Sequence, residues 1–174
     1  MGSVIAMKLV GVRVEMPSNT PIVLLQETTD DGRMLPIFIG QAEATAIALA
    51  LEEVETPRPM THDLVRDLLM VLGVTLEKIV VTDLRDKTFF AEMHLNGPNG
   101  EQIVSCRPSD ALAIAARTDA LVYAEPHVLE AAGFQPEPDD VDDEDEDDGE
   151  RAEEVLDEFR EFIDNVNPED FGGE

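Results

Sequence analysis

Several things are scarce in this sequence, and each scarcity closes off a class of protein. A single cysteine, Cys106, stands among 174 residues, which excludes an internal disulfide and any multi-cysteine zinc site. No apolar run approaches the roughly 20 residues needed to cross a bilayer, and nothing at the N-terminus reads as a signal peptide, so a soluble cytoplasmic protein is expected. Met1-Gly2-Ser3 reads as an added leader, with Met7 as a plausible later start. Positive charge is also scarce: 12 Lys and Arg stand against 39 Asp and Glu, a net charge of −27. Glycine-rich phosphate loops, dinucleotide fingerprints, zinc motifs and the G-x-S-x-G elbow are all missing.

The negative charge is unevenly spread. Residues 1–133 carry 10 basic and 19 acidic side chains, a net of −9, whereas residues 134–174 carry 2 and 20, a net of −18. Even the N-terminal part is acidic, so the composition does not suggest binding of nucleic acid by bulk phosphate neutralisation, and any such site must be a local arginine cluster. Residues 134–150 (FQPEPDDVDDEDEDDGE) are too charged to bury a core and are expected to form a disordered acidic linker. The run resembles a calcium loop, but Gly149 as the sixth position puts Val155 where a bidentate glutamate belongs. Within residues 151–167, Val155, Phe159, Phe162, Ile163 and Val166 recur at helical spacing. That amphipathic helix is expected to dock on its own protein, a dimer mate or another protein partner.

The remaining domain, residues 7–133, reads as α+β. Apolar and polar residues mostly alternate over 8–16, and further strands are expected at 20–28, 34–39, 75–84, 88–96, 101–106 and 121–124. Turns fall at Pro17-Ser18-Asn19, Asp30-Asp31-Gly32, Arg85-Asp86-Lys87 and Gly97-Pro98-Asn99-Gly100. Helices are expected at 41–53, 61–72, 109–118 and 126–132, packed on a mostly antiparallel sheet. In the second helix Leu64, Val65, Leu68, Leu69 and Leu72 share one side, predicted to face the core, and His62, Asp63, Arg66 and Asp67 share the other. The match between Glu43-Ala44-Thr45-Ala46-Ile47-Ala48 and Asp110-Ala111-Leu112-Ala113-Ile114-Ala115 suggests duplication of a strand–strand–helix unit.

Two knots concentrate the reactive groups: Arg58-Pro59-Met60-Thr61-His62-Asp63 and Arg107-Pro108-Ser109-Asp110. Each precedes a helix, whose free N–H groups and partial positive charge form a natural seat for an anion. Arginine suits bidentate phosphate binding, and His62 is the group best suited to acid–base work near neutral pH. The plainer reading makes Thr61 and Ser109 N-caps and Asp63 and Asp110 first-turn partners of the helix dipole. Glu43 has the same two readings. Glu43, Asp63, Asp83 and Asp110 together could furnish carboxylates for Mg²⁺. His94 and His127 have no recognisable ligand partners, and Cys106 reads as a small core residue.

The segments Leu35-Pro36-Ile37-Phe38-Ile39-Gly40 leading to Glu43-Ala44, Arg58-Pro59-Met60-Thr61-His62-Asp63-Leu64, Thr88-Phe89-Phe90-Ala91 and Arg107-Pro108-Ser109-Asp110-Ala111 resemble the bifunctional nuclease family. The resemblance runs in order from about residue 7 to 132. It implies an α+β domain that pairs into a wedge-shaped homodimer, with DNA and RNA as substrates for phosphodiester hydrolysis. Carried onto this chain, it makes His62, Asp63, Asp110 and Glu43 candidate catalytic residues. Arg58, Arg107, Thr61 and Ser109 become candidates for binding substrate, with Mg²⁺ or another divalent cation as a possible cofactor. A non-catalytic dimeric module that binds an anionic ligand or a protein partner is the alternative.

Overall fold

The computed structural model of the protein describes residues 3–29 and 32–136. The acidic stretch after residue 136 and the amphipathic segment 151–167 lie outside the described residues. Three strands open the fold, β1 (Ile5–Glu15), β2 (Thr20–Glu27) and β3 (Met34–Phe38), followed by α1 (Gln41–Leu51). After α2 (Thr61–Val71), three more strands follow, β4 (Thr75–Arg85), β5 (Thr88–Gly97) and β6 (Gly100–Cys106), and then α3 (Pro108–Ala115). A short strand β7 (Leu121–Ala124) and helix α4 (Pro126–Ala132) complete the described chain. β1 starts earlier than the alternation suggests, because Ile5, Ala6 and Met7 pair with β7.

The seven strands form one sheet in the order β3-β2-β1-β7-β4-β5-β6. Each group of three is an antiparallel meander, and the two meanders meet only through β7, antiparallel to β1 and parallel to β4. The β4–β5 turn places Asp86 and Lys87 at φ 49° and 63°, the left-handed pair that matches a two-residue hairpin to strand twist. Sheet residues such as Val23, Leu25, Leu35, Ile37, Ile79, Val81 and Ala91 form one apolar layer with Ile47, Leu112, Val128 and Leu129 of the helices. Burial of each large side chain there contributes about 1.5–3 kcal/mol. The alanines of α1 and α3 let those two helices pack against each other as well as on the sheet.

Two features depart from expectation. Phe134, assigned by composition to the linker, exchanges backbone hydrogen bonds of 2.8 and 2.9 Å with Met34 and covers part of the β3 edge. More consequential is the orientation of α2. Val65 and Leu69 pack against the core, but Leu64, Leu68 and Leu72 are 53%, 51% and 64% exposed, with Val71 at 80%. Conversely, the side chains of His62 and Asp63, expected on the solvated side, keep only 14% and 18% exposure. The periodicity is right and the facing is turned: the first turn of α2 makes charged contacts with α3 and the residue beyond it, His62 with Asp110 and Asp63 with Arg117.

Candidate active site at the helix N-termini

The N-termini of α1 and α3 meet. Gly40 precedes α1 in an extended conformation, and a Cβ at that position would collide with the Glu43 carboxylate, which folds back over the helix start. Arg107 occupies the N-cap of α3, with Pro108 at the first helical position, where its missing N–H costs nothing. The Arg107 guanidinium then bridges the two helices. Its Nη2 donates to Glu43 Oε1 at 2.8 Å and to Asp110 Oδ1 at 2.9 Å, while its Nε donates to Asp110 Oδ2 at 2.7 Å. Glu43 and Asp110 each lie in the first turn of their helix, so the local dipoles favour both carboxylates.

His62 joins this cluster from α2, with Nε2 3.3 Å from Asp110 Oδ1. Burial pushes the Asp110 carboxyl up, but its hydrogen bonds with Arg107 and His62 prevail and hold it below the ordinary carboxylate value. The bonds from Asp110 and Glu43 raise the Arg107 pKa, so its charge is permanent. Arg107 is 64% exposed and presents that charge to solvent, whereas Glu43 is 16% exposed.

Asp63 faces elsewhere. Its Oδ2 accepts the Met60 backbone N–H at 2.9 Å and its Oδ1 accepts Arg117 Nε at 2.6 Å. Burial raises its pKa, the bonds to Arg117 and Met60 lower it, and the net displacement is downward. Met60 and Arg107, not Thr61 and Ser109, are the N-cap residues. Thr61 is exposed in the first turn of α2, and Ser109 is buried in the first turn of α3. Both caps are displaced by one or two positions because each proline region enters its helix earlier than a hydroxyl cap predicts. The Arg58 side chain is exposed and forms no ion pair among the described residues.

The four carboxylates proposed for Mg²⁺ are divided. Glu43 and Asp110 share Arg107, Asp63 belongs to Arg117, and Asp83 pairs with Arg85 at 2.5 Å and His127 at 3.5 Å. Among the described residues no three His, Cys, Asp or Glu side chains are grouped to hold a metal ion. The donor set as arranged does not fit a divalent cation, because the position between Glu43 and Asp110 belongs to a guanidinium. Arg117 was invisible to motif reasoning: it follows α3 in an unremarkable stretch, and only tertiary packing brings it to Asp63.

An open, mostly antiparallel sheet with helices packed on it and a charged corner at two helix N-termini defines an α+β class of domain. The sequence comparisons make the assignment specific. The model of the bifunctional nuclease domain matches residues 23–137, and the chain belongs to that family. It is 46% identical over 164 residues to an uncharacterized protein of Mycobacterium tuberculosis, covering 94% of this chain and 96% of the relative. A protein of Arabidopsis thaliana named bifunctional nuclease 2 is 24% identical over 125 residues, 69% of this chain and 38% of the plant protein. Bifunctional nuclease 1 of Oryza sativa subsp. japonica is 22% identical over 113 residues, 63% of this chain and 34% of its own length. Among the described residues no helix is long and apolar enough to cross a membrane.

Proposed function

We propose that the protein hydrolyses phosphodiester bonds in DNA and RNA at the corner where Arg107, Glu43, Asp110 and His62 meet. The observation that carries this reading is the chain of contacts from Glu43 through Arg107 and Asp110 to His62, all within hydrogen-bonding range. Arg107 offers a fixed, solvent-facing cation for the scissile phosphate. Asp110 accepts from His62 Nε2, which orients the imidazole and leaves Nδ1 as the nitrogen for proton transfer. In the proposed step, Nδ1 takes a proton from water as its oxygen attacks phosphorus. The P–O bond to the leaving oxygen breaks, and that oxygen takes a proton from solvent. Glu43 fixes the guanidinium, and Arg58, exposed at the approach to α2, is a second phosphate contact beside the Thr61 hydroxyl. Asp63 and Ser109 support the helix starts.

Mg²⁺ has no preformed seat in this arrangement, so no step is routed through it. The test compares highly purified wild type, His62→Ala and Arg107→Ala on DNA and RNA, each with Mg²⁺ or with EDTA. The reading requires both variants to lose activity. The same trace cleavage in all three would mark it as contamination and defeat the proposal.

A second reading is favoured by the outward leucine row of α2: a homodimeric module that binds an anionic ligand or a protein partner without turnover. Here the Arg107 corner would bind phosphate, and the α2 row would be covered by a second copy. Anion binding that persists in His62→Ala without hydrolysis by wild type would select this reading.

A further inference from the structure

Arg117 has no place in the proposed chemistry, yet among the arginines whose ion pairs are described it is the most withdrawn from water. Its side chain is 6% exposed, compared with 25% for Arg33, 42% for Arg66, 65% for Arg85 and 64% for Arg107. A guanidinium withdrawn this far from water is costly unless paired and hydrogen-bonded. Arg117 meets that condition through Nε to Asp63 Oδ1 at 2.6 Å and Nη1 to the Ala113 carbonyl at 2.8 Å. The second bond places the cation on a carbonyl near the C-terminus of α3, the favourable end of its dipole.

The two contacts between α2 and α3 share a geometry. Consecutive residues of α2 hold two separate points along α3: His62 reaches Asp110 in the first turn, and Asp63 reaches Arg117 just beyond the last. Asp110 and Arg117 are seven residues apart in the chain, and the Arg117 side chain reaches back to the Ala113 carbonyl. The His62 contact alone, at 3.3 Å, is long for a hydrogen bond and leaves the first turn of α2 free to pivot. The Asp63 bond at the other end removes that pivot, and the same carboxylate receives the Met60 N–H.

We propose that Arg117, acting through Asp63, is the positioning residue that holds the His62 imidazole against Asp110. This role rests on the proposed catalytic use of His62, but the anchoring itself does not. The test therefore reads His62 directly, by residue-resolved diethyl pyrocarbonate modification of the full-length chain followed by mass spectrometry. The chain supplies its own controls: His94, on β5 beside Glu92 and Glu101, is 13% exposed, and His127 is 58% exposed.

In wild type, His62 and His94 are expected to react slowly and His127 quickly. In Arg117→Met, the His62 rate is expected to rise about tenfold, equivalent to about 1.4 kcal/mol of lost closing free energy, with His94 unchanged. Arg117→Lys, which keeps a cation at the site, should restore much of the protection. In turnover, Arg117→Met should lower kcat about tenfold while KM stays, because Arg107 is untouched. An unchanged His62 rate in Arg117→Met with His94 still slow overturns the proposal. Should His94 also become reactive, signalling lost fold, Asp63→Asn decides: protected His62 there overturns the proposal, and selective exposure supports it. A wild type without nuclease activity would defeat the catalytic reading and leave the modification result to judge the anchoring.

Discussion

The outward leucines of α2 lead to a prediction whose size follows from their exposure. Leu64, Leu68, Val71 and Leu72 retain 53%, 51%, 80% and 64% of their surface. Full burial of such a side chain is worth about 1.5–3 kcal/mol, so each still has about 1–2 kcal/mol to gain, and the row on the order of 4–8 kcal/mol per copy. Losses of rigid-body freedom offset part of that gain on association. Leu68→Lys and Val71→Lys place charge in the middle of the row at positions where lysine suits a helix. In an isolated copy each should change stability by no more than about 0.5 kcal/mol, because the site is already wet. In a pair built on this face each should weaken association at least about tenfold, or about 1.4 kcal/mol. Sedimentation equilibrium over a range of concentrations measures both, beside thermal unfolding of the same samples. A wild type that stays at 19.1 kDa throughout, or a double variant that associates as wild type does, refutes the reasoning.

Other outcomes follow from the charged contacts. Glu43→Gln removes one of the carboxylates competing for Arg107, and phosphate affinity should rise about two- to five-fold, a modest gain because the guanidinium is largely solvated; an unchanged affinity in calorimetry counts against Arg107 as the anion anchor. Arg107→Ala should lower kcat/KM on oligonucleotides about 100-fold if it stabilises phosphoryl charge. Hydrogen bonds from Arg33 hold the Glu27 carboxyl below its ordinary value, and the bonds to Asp63 and Asp110 outweigh burial to do the same. Their stability contribution is present above the unfolded carboxylate range of about 3.9–4.3 and disappears as pH falls through the folded values; Arg33→Ala should therefore flatten the acid limb of a stability–pH curve. Burial, with the nearby charges of Asp110 and Glu92, pushes the Cys106 thiol up to about 11, so alkylation by iodoacetamide at pH 8 should be far slower than for free cysteine.

Much of the fold was legible because it rests on local patterns. Alternation located the strands, and turn residues such as Asp86-Lys87 and Gly100 marked the two hairpins of the second meander. The order of the sheet was not legible, because insertion of β7 between β1 and β4 is a long-range choice that no window of sequence contains. The site divided in the same way. His62, Asp110, Arg107 and Glu43 were named from their motifs, and the structure brings them together. Arg58, named on the same grounds, forms no ion pair among the described residues, and Asp63 pairs with Arg117 instead. Helical period could identify the two sides of α2 but not which side faces inward. That outcome depends on Arg117 and Asp110, which lie more than 45 residues away in sequence.

The position of β7 bears on how the chain reaches its native state. Four residues, Leu121–Ala124, supply the joint between two three-stranded halves, and they come after both halves in sequence. A ribosome would therefore release each meander with an open inner edge, and β1 and β4 would wait, unpaired on that side, until the joining strand emerged. Completion of the sheet is thus timed by the end of the domain. A chain cut before Leu121 should keep both meanders on one polypeptide but leave the inner edges of β1 and β4 unpaired and adhesive.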